Sequence, residues 1–109
     1  MKNKIIALML LTSASVFAQV PSYVPSNGLV GWWPFNGNAN DESGNGNDGV
    51  VNGATLTEDR FGNAEKAYEF NGINNWIEIP DDSSLDIVNE VTIAAWVYKP
   101  IFNQRYEAI

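Results

Sequence analysis

The chain has 109 residues, 45% of them hydrophobic, with 13 acidic against 6 basic side chains and neither Cys nor His. The missing residue types exclude thiol nucleophiles, imidazole bases, Ser-His-Asp triads, disulfide staples and ordinary zinc sites. A formal net charge of −7 sets the surface against nucleic acid and anionic membranes as partners.

The chain opens with Lys2 and Lys4. An apolar run follows over residues 5–11, and Val16 and Ala18 then occupy the small-residue positions of a cleavage zone. This is the layout of a secretory signal peptide over residues 1–18, with the mature protein starting at Gln19. A membrane anchor is the competing reading, but the apolar run falls short of the roughly 20 residues that a spanning helix needs. No Cys follows it to carry a lipid. Cleavage removes two lysines and leaves four basic residues against thirteen acidic ones, a net charge of −9. A secreted or cell-surface location follows, with no membrane insertion after cleavage.

Residues 19–27 are rich in Pro and Ser and read as a linker. Residues 29–35 are apolar and aromatic and predict a strand that ends near Pro34. Residues 50–51 and 54–57 predict strands on either side of Asn52-Gly53. Residues 67–70 and 76–79 predict strands on either side of the turn at 71–75. Residues 58–66 have helical composition interrupted by Gly62-Asn63, enough for a single turn. Residues 90–98 carry the strongest strand signal, β-branched and aromatic throughout. Both alternating sets are largely apolar there, so this strand is expected to be covered on both faces or to line a groove. Asn-Gly occurs five times, at 27, 36, 45, 52 and 71. Asn and Gly reach positive φ at little cost, as tight turns require, so the pattern is one of many short strands joined by tight loops. The expected class is all-β, a sandwich or jelly roll.

Three stretches together carry a family likeness. They are residues 28–49 (Gly-Leu-Val-Gly-Trp-Trp-Pro-Phe-Asn-Gly onward), residues 68–80 (Tyr-Glu-Phe-Asn-Gly, then Trp-Ile-Glu-Ile-Pro) and residues 91–98. In order and spacing they resemble bacterial laminin-G-like, concanavalin A-like jelly-roll domains over residues 28 to about 100. Asp48 stands where many relatives carry His, and Trp32-Trp33 where tyrosines are common. The resemblance implies an antiparallel two-sheet concanavalin A-like jelly roll that binds glycans or proteins at cell surfaces. Such a domain needs more strands than 28–109 can supply. Those residues are therefore expected to be the N-terminal part of a domain truncated at the C-terminus, with residues 106–109 opening a further strand.

The fold also hosts glycoside hydrolases, whose retaining chemistry needs two carboxyls about 5–5.5 Å apart. The related endoglucanases place them on one strand as Glu-x-Asp-x-Glu, and this chain has no such run. The expectation is a secreted, non-catalytic binding module, most of all for carbohydrate. The alternatives are a fragment of a concanavalin A-like glycoside hydrolase with its catalytic residues outside this sequence, or a protein-binding adhesion domain.

Two candidate sites follow. Sugars stack their apolar faces on aromatic rings, and Trp76, Trp96 and Tyr98 are the candidate platform. Large aromatics at strand spacing also fill sandwich interiors, which is the reading favoured for Trp33 and Phe35. The loop 36–49 holds three carboxylates, five asparagines and four glycines. Its segment 41–48 matches the opening of a calcium loop, but position 12 would be Asn52 rather than the closing Glu, and the flanking helices of an EF-hand are lacking. It is read either as an Asx-rich turn bonded to its own backbone, or as a site for one structural calcium with Asp41, Asn45 and Asp48 as ligands. Relatives of this fold often carry such an ion.

Overall fold

The computed structural model describes residues 20–100. The signal peptide expected at 1–18 and the strand expected at 106–109 lie outside them. The described residues are all-β: four short strands and one 3₁₀ turn, with no α-helix among them. The strands are β1 (Val50–Asn52), β2 (Thr55–Thr57), β3 (Ala67–Glu69) and β4 (Trp76–Glu78), followed by the 3₁₀ turn Ser83–Leu85.

The pairing is nested. β2 pairs with β3 antiparallel, Leu56 opposite Tyr68. β1 pairs with β4 antiparallel, Val51 opposite Ile77. The two ladders are separate two-stranded sheets, linked by residues 53–54 on the outgoing side and 70–75 on the return side; the four strands together are called the arm below. Asn52-Gly53 is therefore a joint between consecutive strands of one arm and not a hairpin turn. The segment 71–75 is a side loop and not a β3–β4 hairpin. Asn side chains brace it: Asn71 Oδ1 accepts from the Ile73 and Asn74 amides, and Asn75 Oδ1 accepts from the Asn71 amide. The glycines of all five Asn-Gly pairs have φ between 70° and 79°, as the turn reading requires.

No helical turn forms in 58–66; residues 59–62 make a β-turn instead, closed by the Gly62 amide on the Asp59 carbonyl at 3.0 Å. The Asp59 carboxylate accepts from the Phe61 and Asn63 amides, an Asx arrangement that ends any helix before it begins.

Residues 29–35 and 90–98 form no strand. The first is half-buried and docks on the arm. Phe35 stacks edge-on against Tyr68 with ring centroids 5.1 Å apart, and the Gly37 amide donates to the Glu65 carbonyl at 2.9 Å. Phe35 and Glu65 both adopt left-handed φ, at 56° and 57°, a conformation costly for non-glycine residues that this contact holds in place. The second segment has no ladder partner among the described residues and is exposed throughout, including Ile93 at 86%. The expected cover on both its faces is not observed. β-propensity is a preference for a paired, half-buried surface, and among the described residues no strand pairs with these.

Among the described residues the buried ones are Ala39 and Asn47 alone. Burial is therefore centred on the loop 36–49, against β4. Gly49 donates its amide to the Ala39 carbonyl at 2.8 Å. A Cβ on Gly49 would meet Ile77 Cγ2 at 2.8 Å and Ala39 Cβ at 3.0 Å, so only glycine lets the loop close on the strand.

Candidate functional site

The loop 36–49 is organised by one carboxylate. Asp41 Oδ1 accepts from the Trp32 amide and the Ser43 amide, each at 2.8 Å. Its Oδ2 accepts from Ser43 Oγ at 2.8 Å and from the Asn47 amide at 3.0 Å. A carboxylate has about four lone-pair sites, and protein donors fill all of them here. Partial burial pushes the Asp41 pKa up, but the bonds from Trp32, Ser43 and Asn47 outweigh it and hold the carboxyl below its ordinary 3.8.

The other two residues expected to hold calcium join the same network. Asp48 Oδ1 accepts from the Asp41 amide at 2.8 Å. Asn45 turns its amide nitrogen to the carbonyls of Leu29 and Val30, at 2.9 and 3.1 Å, and to Ser43 Oγ. Asp41, Asn45 and Asp48 thus sit in one loop, each hydrogen-bonded within it or to the segment before it. Among the described residues no three acidic side chains form a group of metal-holding geometry.

Asn47 closes the loop from inside. Its side chain is 3% exposed and donates to the Val30 carbonyl at 3.0 Å and to Ser84 Oγ at 2.9 Å. Its backbone carbonyl accepts from Trp33 Nε1 at 2.8 Å. Trp33 is thereby half-buried with its polar edge satisfied, in keeping with a packing role. Ser84 lies in the 3₁₀ turn, whose first amides Asp82 caps by accepting from the Ser84 amide at 2.8 Å. Those bonds to Ser84 hold the Asp82 carboxyl below its ordinary value.

Between the loop and this turn lies an open hollow of about 280 Å³, with Asp48, Asp81 and Asp82 on its wall beside Val50 and Pro80. Sequence reading singled out Asp48 but missed Asp81, Asp82 and Asn47. The Asp82-Ser83-Ser84 run does carry an N-cap signal, which foretells a capped turn. No local signal foretells that a turn 37 residues downstream bonds Asn47.

The aromatic candidates stand elsewhere. Trp76 opens β4 opposite Asn52, is bridged to Gly53 and is 51% exposed. Trp96 and Tyr98 are 85% and 87% exposed in the unpaired segment. The Arg60 guanidinium lies 3.9 Å from the Trp96 ring centroid and 4.6 Å from that of Phe61, so one face of Trp96 carries a cation. Among the described residues no ring contact joins Trp76 to Trp96 or Tyr98, so the three do not form one continuous stack.

Comparison with protein-family models, with curated proteins and with solved structures gives no match to this chain. Among the described residues no helix is long and apolar enough to cross a membrane.

Proposed function

We propose that this chain is a secreted, non-catalytic binding module for carbohydrate, built on a laminin-G-like, concanavalin A-like jelly roll and acting at or outside the cell surface. The observation that carries the reading is Trp76: a half-exposed indole fixed at the start of a paired strand, next to a loop braced by asparagines. An aromatic face for sugar C–H groups beside amides for hydroxyls is the chemistry of a sugar subsite. Trp96 and Tyr98 supply a second exposed pair on a separate segment, with Arg60 already on one face of Trp96.

A structural calcium belongs to the same proposal. Its loop is 36–49, with Asp41, Asn45 and Asp48 as the side chains nearest to hand. The Asp41 oxygens are already engaged by protein donors, so an ion bound through Asp41 would displace bonds from Trp32, Ser43 or Asn47. The resemblance carries the fold name, the rival hydrolase reading and the rival protein-binding reading with it.

The test is calorimetry and tryptophan fluorescence against a panel of polysaccharides, with calcium and with chelator. Binding is expected, and Trp76→Ala should weaken it by about 1–3 kcal/mol, by analogy with aromatic stacking on bases. Silence across the panel, together with capture by an immobilised surface protein, would replace this reading with the adhesion one. Release of reducing sugar would replace it with the hydrolase.

A further inference from the structure

We propose that Asn27 is a site of spontaneous covalent modification, deamidating through a succinimide ahead of the other four Asn-Gly pairs in the chain. The chemistry needs only the side chain, the next backbone nitrogen and water. The Gly28 nitrogen loses its proton and bonds to Asn27 Cγ. The Cγ–Nδ2 bond breaks and the amide nitrogen leaves as ammonia. Water then opens the five-membered ring at either carbonyl, giving an aspartyl or an isoaspartyl residue at position 27. Attack within one residue pair has the proximity advantage of an intramolecular reaction, and glycine, lacking Cβ, leaves the nitrogen unhindered.

All five pairs share that sequence advantage, so the fold decides between them. At Asn36 the Gly37 amide is bound to the Glu65 carbonyl at 2.9 Å, and Asn36 Oδ1 accepts from Lys66 Nζ at 2.8 Å. At Asn45 the leaving nitrogen donates to Leu29, Val30 and Ser43. Asn52 lies within β1, paired with Trp76, and its Nδ2 donates to the Val50 carbonyl. At Asn71 the side chain is pinned at both ends: Oδ1 accepts from two backbone amides, and Nδ2, the leaving nitrogen, donates to Asn74 Oδ1 at 2.8 Å. Each must break native bonds before the ring can close.

Asn27 and Gly28 are the two central residues of a turn closed by the Leu29 amide on the Ser26 carbonyl at 3.3 Å. The closing bond uses only the Ser26 carbonyl and the Leu29 amide, so neither the Asn27 side chain nor the Gly28 amide takes part in it. Both residues are exposed, Gly28 has φ 76°, and a Cβ built there would meet nothing within 4 Å. The pair lies immediately before the Leu29 and Val30 carbonyls that Asn45 and Asn47 grip. The new carboxylate, or the extra methylene of the isoaspartyl backbone, therefore enters the chain at the margin of the ordered loop.

The test is incubation of the full chain at mildly alkaline pH, natively and in concentrated urea, followed over time by chymotryptic digestion and tandem mass spectrometry that localises each change to one asparagine, because residues 5–60 contain no Lys or Arg before Arg60. Natively, the peptide holding Asn27 should convert first, about fivefold or more ahead of each other pair, the factor that one ordinary hydrogen bond imposes on a population. In urea the five rates should draw together. Asn27→Gln should abolish the leading product and leave the rest unchanged. Another pair converting first in the native protein, or an Asn27 lead that survives unchanged in urea, would overturn the proposal.

Discussion

Residues 29–49 and residues 86–100 both carry tryptophan and aliphatic side chains, yet the two stretches end in opposite states. In the first, short polar side chains do the work that a neighbouring strand would otherwise do. Asp41 receives the Trp32, Ser43 and Asn47 amides, and Asn45 and Asn47 cover the Leu29 and Val30 carbonyls. Backbone groups there are satisfied without any ladder, so the segment is ordered though it contains no strand. The second stretch offers its backbone almost no local partner of this kind. Val91, Ile93, Trp96 and Tyr98 need another strand to bond and another layer to cover them, and all four are more than 60% exposed. Local order follows from Asx chemistry in one case and waits on non-local pairing in the other.

The comparison can be broken most severely at Asp41. Asp41→Ala leaves three backbone amides without an acceptor and should cost the loop about 3 kcal/mol of local stability, taking about 1 for each bond. The measurement is amide hydrogen exchange at Trp32, Ser43 and Asn47, with Leu56 and Tyr68 in the arm as unaffected controls. The same three amides report a pH effect. The folded Asp41 pKa lies below the ordinary 3.8, so its contribution is complete above that value and is lost as pH falls through the folded pKa. Their NMR signals should stay constant from neutral pH to about pH 5 and move only in more acid solution.

Asn47 is the next largest lever, because it ties the loop to the 3₁₀ turn. Asn47→Ala strips partners from the Val30 carbonyl and Ser84 Oγ, for about 2 kcal/mol. Exchange should quicken at Ser84 and Leu85 as well as in the loop. An effect confined to the loop would show that the turn holds its place without it.

The smallest effect sharpens the other side of the comparison. Arg60 on Trp96 is a tie between the exposed segment and the arm, and at an exposed site it is worth about 0.5–1 kcal/mol. Trp96→Ala should remove the ring-current shift of the Arg60 side-chain protons and leave the loop amides untouched. Spread of the change into residues 29–49 would mean that the two stretches are coupled after all.

Much of this was legible in the sequence. The strands in 50–57, 67–70 and 76–79 form within a residue or two of where β-branched and aromatic runs place them, and the Asn-Gly glycines all take positive φ. Partner choice was not legible. Asn52-Gly53 is chemically a good hairpin turn, and only the pairing of Asn52 with Trp76 reveals it as a joint. The strongest strand signal, at 90–98, fails for the same reason, since propensity describes a residue and pairing needs two. At the polar loop, sequence marked Asp41, Asn45 and Asp48 by composition. It gave no sign that Asn47 would be the buried one, nor that Asp81 and Asp82 would line one hollow with Asp48, because those placements join segments more than thirty residues apart.

The side loop at 70–75 has a practical reach. Both ladders are complete without it, its residues 71–74 are exposed, and its own side chains hold it together. Lengthening it changes neither register, and the entropy of closing a loop grows by only about 0.6 kcal/mol per doubling. It is the position on the arm where a peptide tag or a recognition sequence can be grafted at least expense to the fold, and it would be displayed a few residues from Trp76.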